Sequence, residues 1–312
     1  MNVDLAVAWT TDDNNIEPLV ASVHSVVKHW SRGAPLHVFI LAWNVTSNHK
    51  RCFTDWVSAR HPGTSVTWID GSHEALPPGR GHLPAAAYLR LFLPYYISAK
   101  RIIYLDTDTI AVADLSSLRN LDLSGFALGA VLDGGVKSAL EVLDAEICDV
   151  FNITSQDGYF NSGVLVFDAE QWRNSTFRED CFKVAQTYGG RLTYCDQDSL
   201  NCVFKRAWLP MDNIWNCQVG RLNETGRKSP TRLFKQLLTL GEYRIIRDAK
   251  VLHYSGPLKP WTGGPRTVGF GTYVGTLHDA RWLTSWDITS RILKALASSF
   301  DRLKSSLVHH KR

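Results

Sequence analysis

The chain has 312 residues, 45% of them apolar and 21% charged, with a formal charge of +4. That length suits one large domain or two fused ones, and the apolar share supports a sizeable core and excludes global disorder. Of 34 Lys+Arg and 30 Asp+Glu, seven and two fall within Arg281–Arg312, so the tail carries +5 and the body −1. A near-neutral body argues against nucleic acid or another polyanion as its partner.

The chain opens on a short apolar run, Leu5 to Trp9, expected to be a strand that ends in the polar loop Thr10 to Asn15. Leu19, Val20, Val23, Val26, Val27 and Trp30 follow at helical spacing. Leu36 to Ala42 reads as a buried strand, Asn48 to Arg60 as a helix, and Ser65 to Ile69 as a third strand. Such alternation predicts an α/β fold with a mostly parallel mixed sheet flanked by helices. Gly71 to Pro84 reads as a long loop, Ala85 to Leu93 as a helix broken near Pro94, and Arg101 to Leu105 as a strand. Ala127 to Leu132, Gly163 to Phe167 and Val251 to Tyr254 are further strands, and Phe177 to Tyr188 and Asp198 to Phe204 further helices.

Open α/β sheets bind ligands beyond the carboxyl ends of their strands. Asp106-Thr107-Asp108 falls there, directly after Ile102-Ile103-Tyr104-Leu105. Two carboxylates on alternate positions can converge on one hard cation, which bridges diphosphate oxygens and neutralises a departing nucleotide. Asp196-Gln197-Asp198 repeats the pattern without a preceding strand, and reads equally as a helix N-terminus or as a pair of sugar-binding groups. Asp12-Asp13-Asn14 caps the following helix or reads the edge of a base, and Asn161 makes an Asx turn or binds sugar hydroxyls. Arg90 is an exposed helix charge or an anion clamp, and Asp133 sits in the turn after Leu132. His253, Gly256, Lys259 and Trp261 cluster late in the chain, where Gly permits close backbone approach and Lys suits a diphosphate.

Six segments together resemble glycosyltransferase family 8, which includes bacterial lipopolysaccharide galactosyltransferases. They are Asp12 to Asn14, Ala87 to Leu91, Tyr104 to Asp108, Phe160 to Val164, Asp196 to Asp198 and His253 to Trp261, in that order between Val3 and Trp261. The resemblance implies a GT-A fold, a UDP-sugar donor, and Mn2+ or Mg2+ held by Asp106, Asp108 and His253. It implies base and ribose contacts from Thr11, Asp12 and Asn14 and around Thr107. Arg90, Asp133, Asn161, Asp196 and Gln197 match donor-sugar positions, the last two nearest the chemistry, and Gly256 and Lys259 match diphosphate positions. It further implies transfer of galactose or glucose, with retention, to a glycan or glycolipid hydroxyl such as lipopolysaccharide core. Asn15 departs from the tyrosine common there in relatives, and Ala85 and Ala86 from small hydroxyl residues.

Two other readings compete. Tyr104 to Ile110 resembles the first motif of haloacid-dehalogenase-type phosphatases, with Asp106 as nucleophile, although the downstream Lys and acidic pair of that family are missing. A UDP-sugar-binding protein without transfer activity is the other.

The catalytic domain is expected over 1–275 and a basic amphipathic helix over 276–312, where Trp286, Ile292, Leu293, Leu296, Phe300, Leu303 and Leu307 share one helical face. Such a helix suits peripheral contact with an anionic membrane, or docking on the body. Cys52, Cys148, Cys181, Cys195, Cys202 and Cys217 form no C-x-x-C pair, no signal-peptide pattern opens the chain, and no run approaches ~18 apolar residues. A cytoplasmic protein with free thiols is the expectation.

Overall fold

The computed structural model describes residues 3–31, 35–81, 83–123, 125–136, 138–220, 247–263, 267–284 and 289. Of the tail helix expected over 276–312, residues 276–284 and 289 are described, and the rest, with the amphipathic positions from Trp286 onward, lies outside the described residues.

Seven strands form one sheet: β1 (Val3–Asp12), β2 (Leu36–Trp43), β3 (Thr64–Asp70), β4 (Ala99–Leu105), β6 (Leu128–Leu132), β7 (Phe160–Asp168) and β8 (Leu209–Pro210). β5 (Thr109–Ala111), β9 (Cys217–Gln218) and β10 (Val251–His253) form a smaller one. The large sheet runs β3-β2-β1-β4-β7-β6-β8, the small one β5-β10-β9. Strands β1 to β4 pair in parallel, whereas β7 is antiparallel to both β4 and β6. The mixed, mostly parallel sheet is as the alternating sequence pattern requires.

The central strand explains its own position. Ala6, Val7, Ala8 and Trp9 are all buried, on both faces, as expected of a parallel strand covered on each side. Helix α1 (Ile16–His29) covers one face with Leu19, Val20, Val23 and Val26. Burying each such side chain stabilises the fold by about 1.5–3 kcal/mol. Helix α2 (Ser47–Arg60) starts at Thr46, whose hydroxyl accepts from the His49 N–H at 3.3 Å, and packs beside α1 with Phe53 and Val57.

On the opposite face, Ala85–Phe92 is a 3-10 segment that runs into α3 (Leu93–Tyr96). Pro94 lies in the first turn of α3, where its missing N–H leaves no bond unmade, so it starts a helix and does not break one. Helices α4 (Ala145–Val150), α5 (Ala169–Arg173), α6 (Phe177–Tyr188) and α7 (Asp196–Phe204) follow. Among the described residues α8 (Pro260–Gly263) and α9 (Phe270–Asp279) come next; α9 runs through position 275 and packs on α1. No helix among the described residues is long and apolar enough to cross a membrane, and all six cysteines are free thiols.

The chain order places the site. β2 and β3 lie to one side of β1 and β4 to the other, so the connections diverge between β1 and β4. A crevice opens at such a switch, beyond the carboxyl ends of the parallel strands. Because β7 is antiparallel, its first residues reach the same end, and the Asp106 N–H donates to the Gly163 carbonyl at 2.8 Å.

Candidate active site

A cleft of about 410 Å3 occupies this switch point. Its walls include Thr10, Thr11, Asp12 and Asn15 from the end of β1, and Ala86, Ala87 and Arg90 from the 3-10 segment. Asp106 to Asp108 follow β4, and Asn161 and Ser162 begin β7. Asp133, Tyr194, Asp196, Gln197, His253, Ser255, Gly256, Lys259 and Trp261 complete most of the lining.

Asp106, Asp108 and His253 each offer one ligand atom, and these atoms lie within 4.8 Å of one another. His253 Nε2 is 3.2 Å from Asp108 Oδ1 and 3.9 Å from Asp106 Oδ2. Two carboxylates and an imidazole are a donor set suited to Mn2+ or a similar divalent ion. Among the described residues no other group of three acidic, His or Cys side chains has this spacing. The ladder between β5 and β10 sets Thr109 opposite His253, and the Tyr254 N–H donates to the Asp108 carbonyl at 2.9 Å. Gly163 makes room for the imidazole, since a Cβ there would stand 2.2 Å from His253 Cε1.

Two cations neutralise the carboxylates. Lys259 Nζ donates to Asp108 Oδ2 at 2.5 Å and to the Tyr254 carbonyl at 2.8 Å. Burial raises the Asp108 carboxyl, but the Lys259 ammonium beside it outweighs that and holds the group well below the usual range. Gly256 carries φ +86°, a left-handed turn that favours glycine beside the lysine.

Arg90 is 5% exposed and bridges two acids, with Nη2 3.1 Å from Asp106 Oδ1 and Nε 3.1 Å from Asp196 Oδ2. Nη1 donates to the Ser162 carbonyl at 2.7 Å and hydroxyl at 2.9 Å. The reading of Arg90 as an exposed helix charge therefore gives way to an internal clamp. Tyr104 supports it from below: its ring lies 4.8 Å from the guanidinium, and its hydroxyl donates to Asp106. Burial pushes the Asp196 carboxyl up to about 6, against the pull of Arg90.

Gln197 is fixed at both ends, Nε2 donating to Asp133 Oδ2 at 3.3 Å and Oε1 accepting from the Ser162 N–H at 3.0 Å. Asn161 donates to the same Asp133 oxygen at 3.2 Å. The second Asp-x-Asp pair is split: Asp196 faces Arg90, while Asp198 Oδ2 accepts from the Thr193 and Tyr194 N–H groups at 2.6 and 2.8 Å and orders that loop.

The cleft lining thus gathers Thr11, Asp12, Arg90, Asp106, Thr107, Asp108, Asp133, Asn161, Asp196, Gln197, His253, Gly256 and Lys259. Asn14 is not part of it. That side chain is exposed, the backbone N–H of Asn14 donates to Asp12 Oδ1 at 3.0 Å, and the 3-10 turn Asp13–Asn15 brings Asn15 inward instead. Asn15 Nδ2 donates to the same Asp12 oxygen at 2.8 Å. Sequence reasoning also missed Ser162, Tyr194 and Ser255, and beneath the lining Asn216; Ser162, inside the segment Phe160 to Val164, and Ser255, inside His253 to Trp261, had motifs beside them.

The model of the family described as "Glycosyl transferase family 8" matches residues 6–263. General stress protein A of Bacillus subtilis (strain 168) is 29% identical over 209 residues, covering 65% of this chain and 68% of its own length. Lipopolysaccharide 1,2-glucosyltransferase of Escherichia coli (strain K12) is 27% identical over 227 residues, 72% of this chain and 62% of that one. The solved galactosyltransferase LgtC, in complex with donor and acceptor sugar analogs, superposes with a TM-score of 0.69 at 23% identity, covering 90% of this chain and 96% of that one. The fold is therefore that of the GT-A glycosyltransferases, and the chain belongs to glycosyl transferase family 8.

Proposed function

We propose that the protein transfers a hexose, glucose or galactose, from a UDP-sugar to a hydroxyl of a glycan or glycolipid acceptor, with retention of anomeric configuration. The observation that carries this is the meeting of Asp106, Asp108, His253 and Lys259 in one cleft with Asp133, Asp196 and Gln197. One end suits a diphosphate and the other a polyhydroxylated ring. The relatives named for lipopolysaccharide glucosyl transfer and for galactosyl transfer support an acceptor such as lipopolysaccharide core.

Asp106, Asp108 and His253 would hold Mn2+ or Mg2+, which when bound offsets negative charge on the leaving diphosphate. Lys259 supplies a second, fixed positive charge there, with Gly256 admitting the diphosphate close to the backbone. Thr11, Asp12, Asn15 and Thr107 line the end of the cleft assigned to base and ribose, with Asn14 on the same turn beside them. Arg90 orients Asp196 towards the sugar hydroxyls, and Asp133 with Asn161 offers further hydrogen bonds. Gln197 sits on the reactive face, and an amide is a poor nucleophile. The acceptor hydroxyl then enters on the leaving-group side; its oxygen bonds the anomeric carbon as the bond to diphosphate breaks, and its proton passes to a diphosphate oxygen.

The match to the family over residues 6–263 favours this reading over a phosphatase with Asp106 as nucleophile. The charged tail, Arg281–Arg312, is assigned to an anionic membrane surface, where a lipid-anchored acceptor would be presented. A thermal-shift screen of UDP-sugars with Mn2+, followed by an assay of slow donor hydrolysis, tests the proposal. UDP and free sugar are expected as products; release of inorganic phosphate would support the phosphatase, and no release a pure binder.

A further inference from the structure

Asn216 belongs to no motif, yet it is 2% exposed and lies between the cation ligands and the sugar end of the cleft. It closes the 3-10 turn Asn213–Asn216, just before β9. Its amide stands 2.9 Å from Asn161 on one side and 2.8 Å from His253 Nδ1 on the other.

The direction of every bond in this chain is forced from one end. The Gly163 backbone N–H can only donate, and it lies 3.0 Å from the Asn161 amide, which must therefore present Oδ1. Asn161 then turns Nδ2 to Asp133 Oδ2, which as a carboxylate accepts. Since Asn161 Oδ1 also faces Asn216, the latter must present Nδ2, leaving its Oδ1 towards His253. An amide oxygen accepts only, so the proton sits on His253 Nδ1, and Nε2 is the nitrogen turned to Asp106 and Asp108.

We infer that Asn216 is a positioning residue that keeps His253 protonated at Nδ1 with Nε2 free for the divalent cation, and ties this ligand to Asn161 and Asp133. The inference deepens the proposed function, since the cation belongs to that reading. Groups that orient a metal-binding imidazole commonly change metal affinity 10–100-fold when removed. The link to Asn161 adds a second consequence, because movement of the His253 ring is felt at the carboxylate that also holds Gln197.

Two variants separate these roles. Asn216→Leu removes both bonds, whereas Asn216→Asp keeps an acceptor for His253 and sets a carboxylate oxygen against Asn161 Oδ1. Expected is a loss of about 10–100-fold in Mn2+ affinity for Asn216→Leu, measured by calorimetry without donor. Asn216→Asp should bind Mn2+ within a few-fold of the unsubstituted protein, yet lose on the order of tenfold in kcat for donor hydrolysis. Long-range proton–nitrogen correlation of the imidazoles in metal-free protein should show Nδ1 of His253 protonated, a result independent of any cation and of the folding of either variant. Unprotonated Nδ1, or equal Mn2+ affinity in folded Asn216→Leu, overturns the inference. If the unsubstituted protein binds no Mn2+, the cation reading fails, and the imidazole spectrum alone decides the role of Asn216.

Discussion

Lys259 Nζ rests 2.5 Å from Asp108 Oδ2, on the carboxylate whose other oxygen faces His253 Nε2 at 3.2 Å. One side of the acid proposed to bind the cation is thus already neutralised by a residue suited to the diphosphate.

A lysine so placed competes with the ion while the donor is away and helps retain the donor once it arrives. Lys259→Met is therefore expected to tighten Mn2+ binding in the absence of nucleotide and to weaken UDP binding by about tenfold, or ~1.4 kcal/mol. Calorimetric titrations of Mn2+ and of UDP measure both; unchanged affinities would refute the competition.

Gly163 faces the imidazole without a side chain. Gly163→Ala puts a methyl group 2.2 Å from His253 Cε1, so either the ring or the start of β7 must shift. Overpacking of this kind costs about 1–3 kcal/mol. The expected result is a folded protein with a lower melting temperature and much weaker Mn2+ binding, measured on the same sample. Full Mn2+ affinity would show that the ring has other room.

Gln197→Ala should slow transfer yet leave measurable turnover, because a neutral amide contributes hydrogen bonds and not a covalent intermediate. Asp106→Ala should remove activity together with its response to Mn2+. Mass spectrometry of protein quenched during turnover checks the first point, since a glycosyl adduct on Asp196 would require a nucleophilic carboxylate.

Acid should loosen the junction of α1, α2 and α9. His24 Nδ1 lies 3.0 Å from His61 Nε2, and His24 Nε2 lies 3.3 Å from Asp279 at the end of α9, with Lys28 and Arg60 alongside. Burial, and the proximity of His24 and Arg60, bring His61 down to about 4, and burial lowers His24. Between about 6.5 and 4 the unfolded chain takes up protons that the folded chain refuses, so stability falls as pH falls through that window. After allowance for partial exposure the loss is about 1–2 kcal/mol, several degrees in melting temperature. Melting curves of metal-free protein and of His61→Phe test it; the variant should show a flatter dependence.

Removal of residues 285–312 should abolish flotation with anionic liposomes while leaving donor hydrolysis intact. Equal recovery in the soluble fraction with and without the segment would count against a membrane role.

The strands of the large sheet other than β8 were legible because burial writes itself as runs such as Leu5 to Trp9 and Ile102 to Leu105, whereas β8 has only two residues. The acidic pair Asp106 and Asp108 was legible for the same reason, as polar residues directly after such a run. Of the small sheet only β10 was legible, from the apolar run Val251 to Tyr254, since β5 and β9, of three and two residues, carry no period. Asn216 was invisible because its role rests on partners from β7 and β10, which the sequence does not place beside it. Asn14 was read as the base contact and Asn15 only as a departure from a tyrosine, because the run Asp12 to Asn15 does not show that the 3-10 turn sets Asn15 in the lining. Pro94 was read as a helix breaker because its position relative to a helix start depends on the preceding 3-10 segment.

The pairing of β5 with β10 joins Thr109 to His253 across nearly half of the chain. Closing so long a loop carries an entropic penalty that local helices do not meet, so this ladder belongs to the later stages of folding. On a ribosome, the two aspartates emerge well before the imidazole that completes their set. On the proposed cation reading, capture of a divalent ion at full strength would mark a finished molecule, and a time course of ion uptake during refolding would read out when the two distant segments have met.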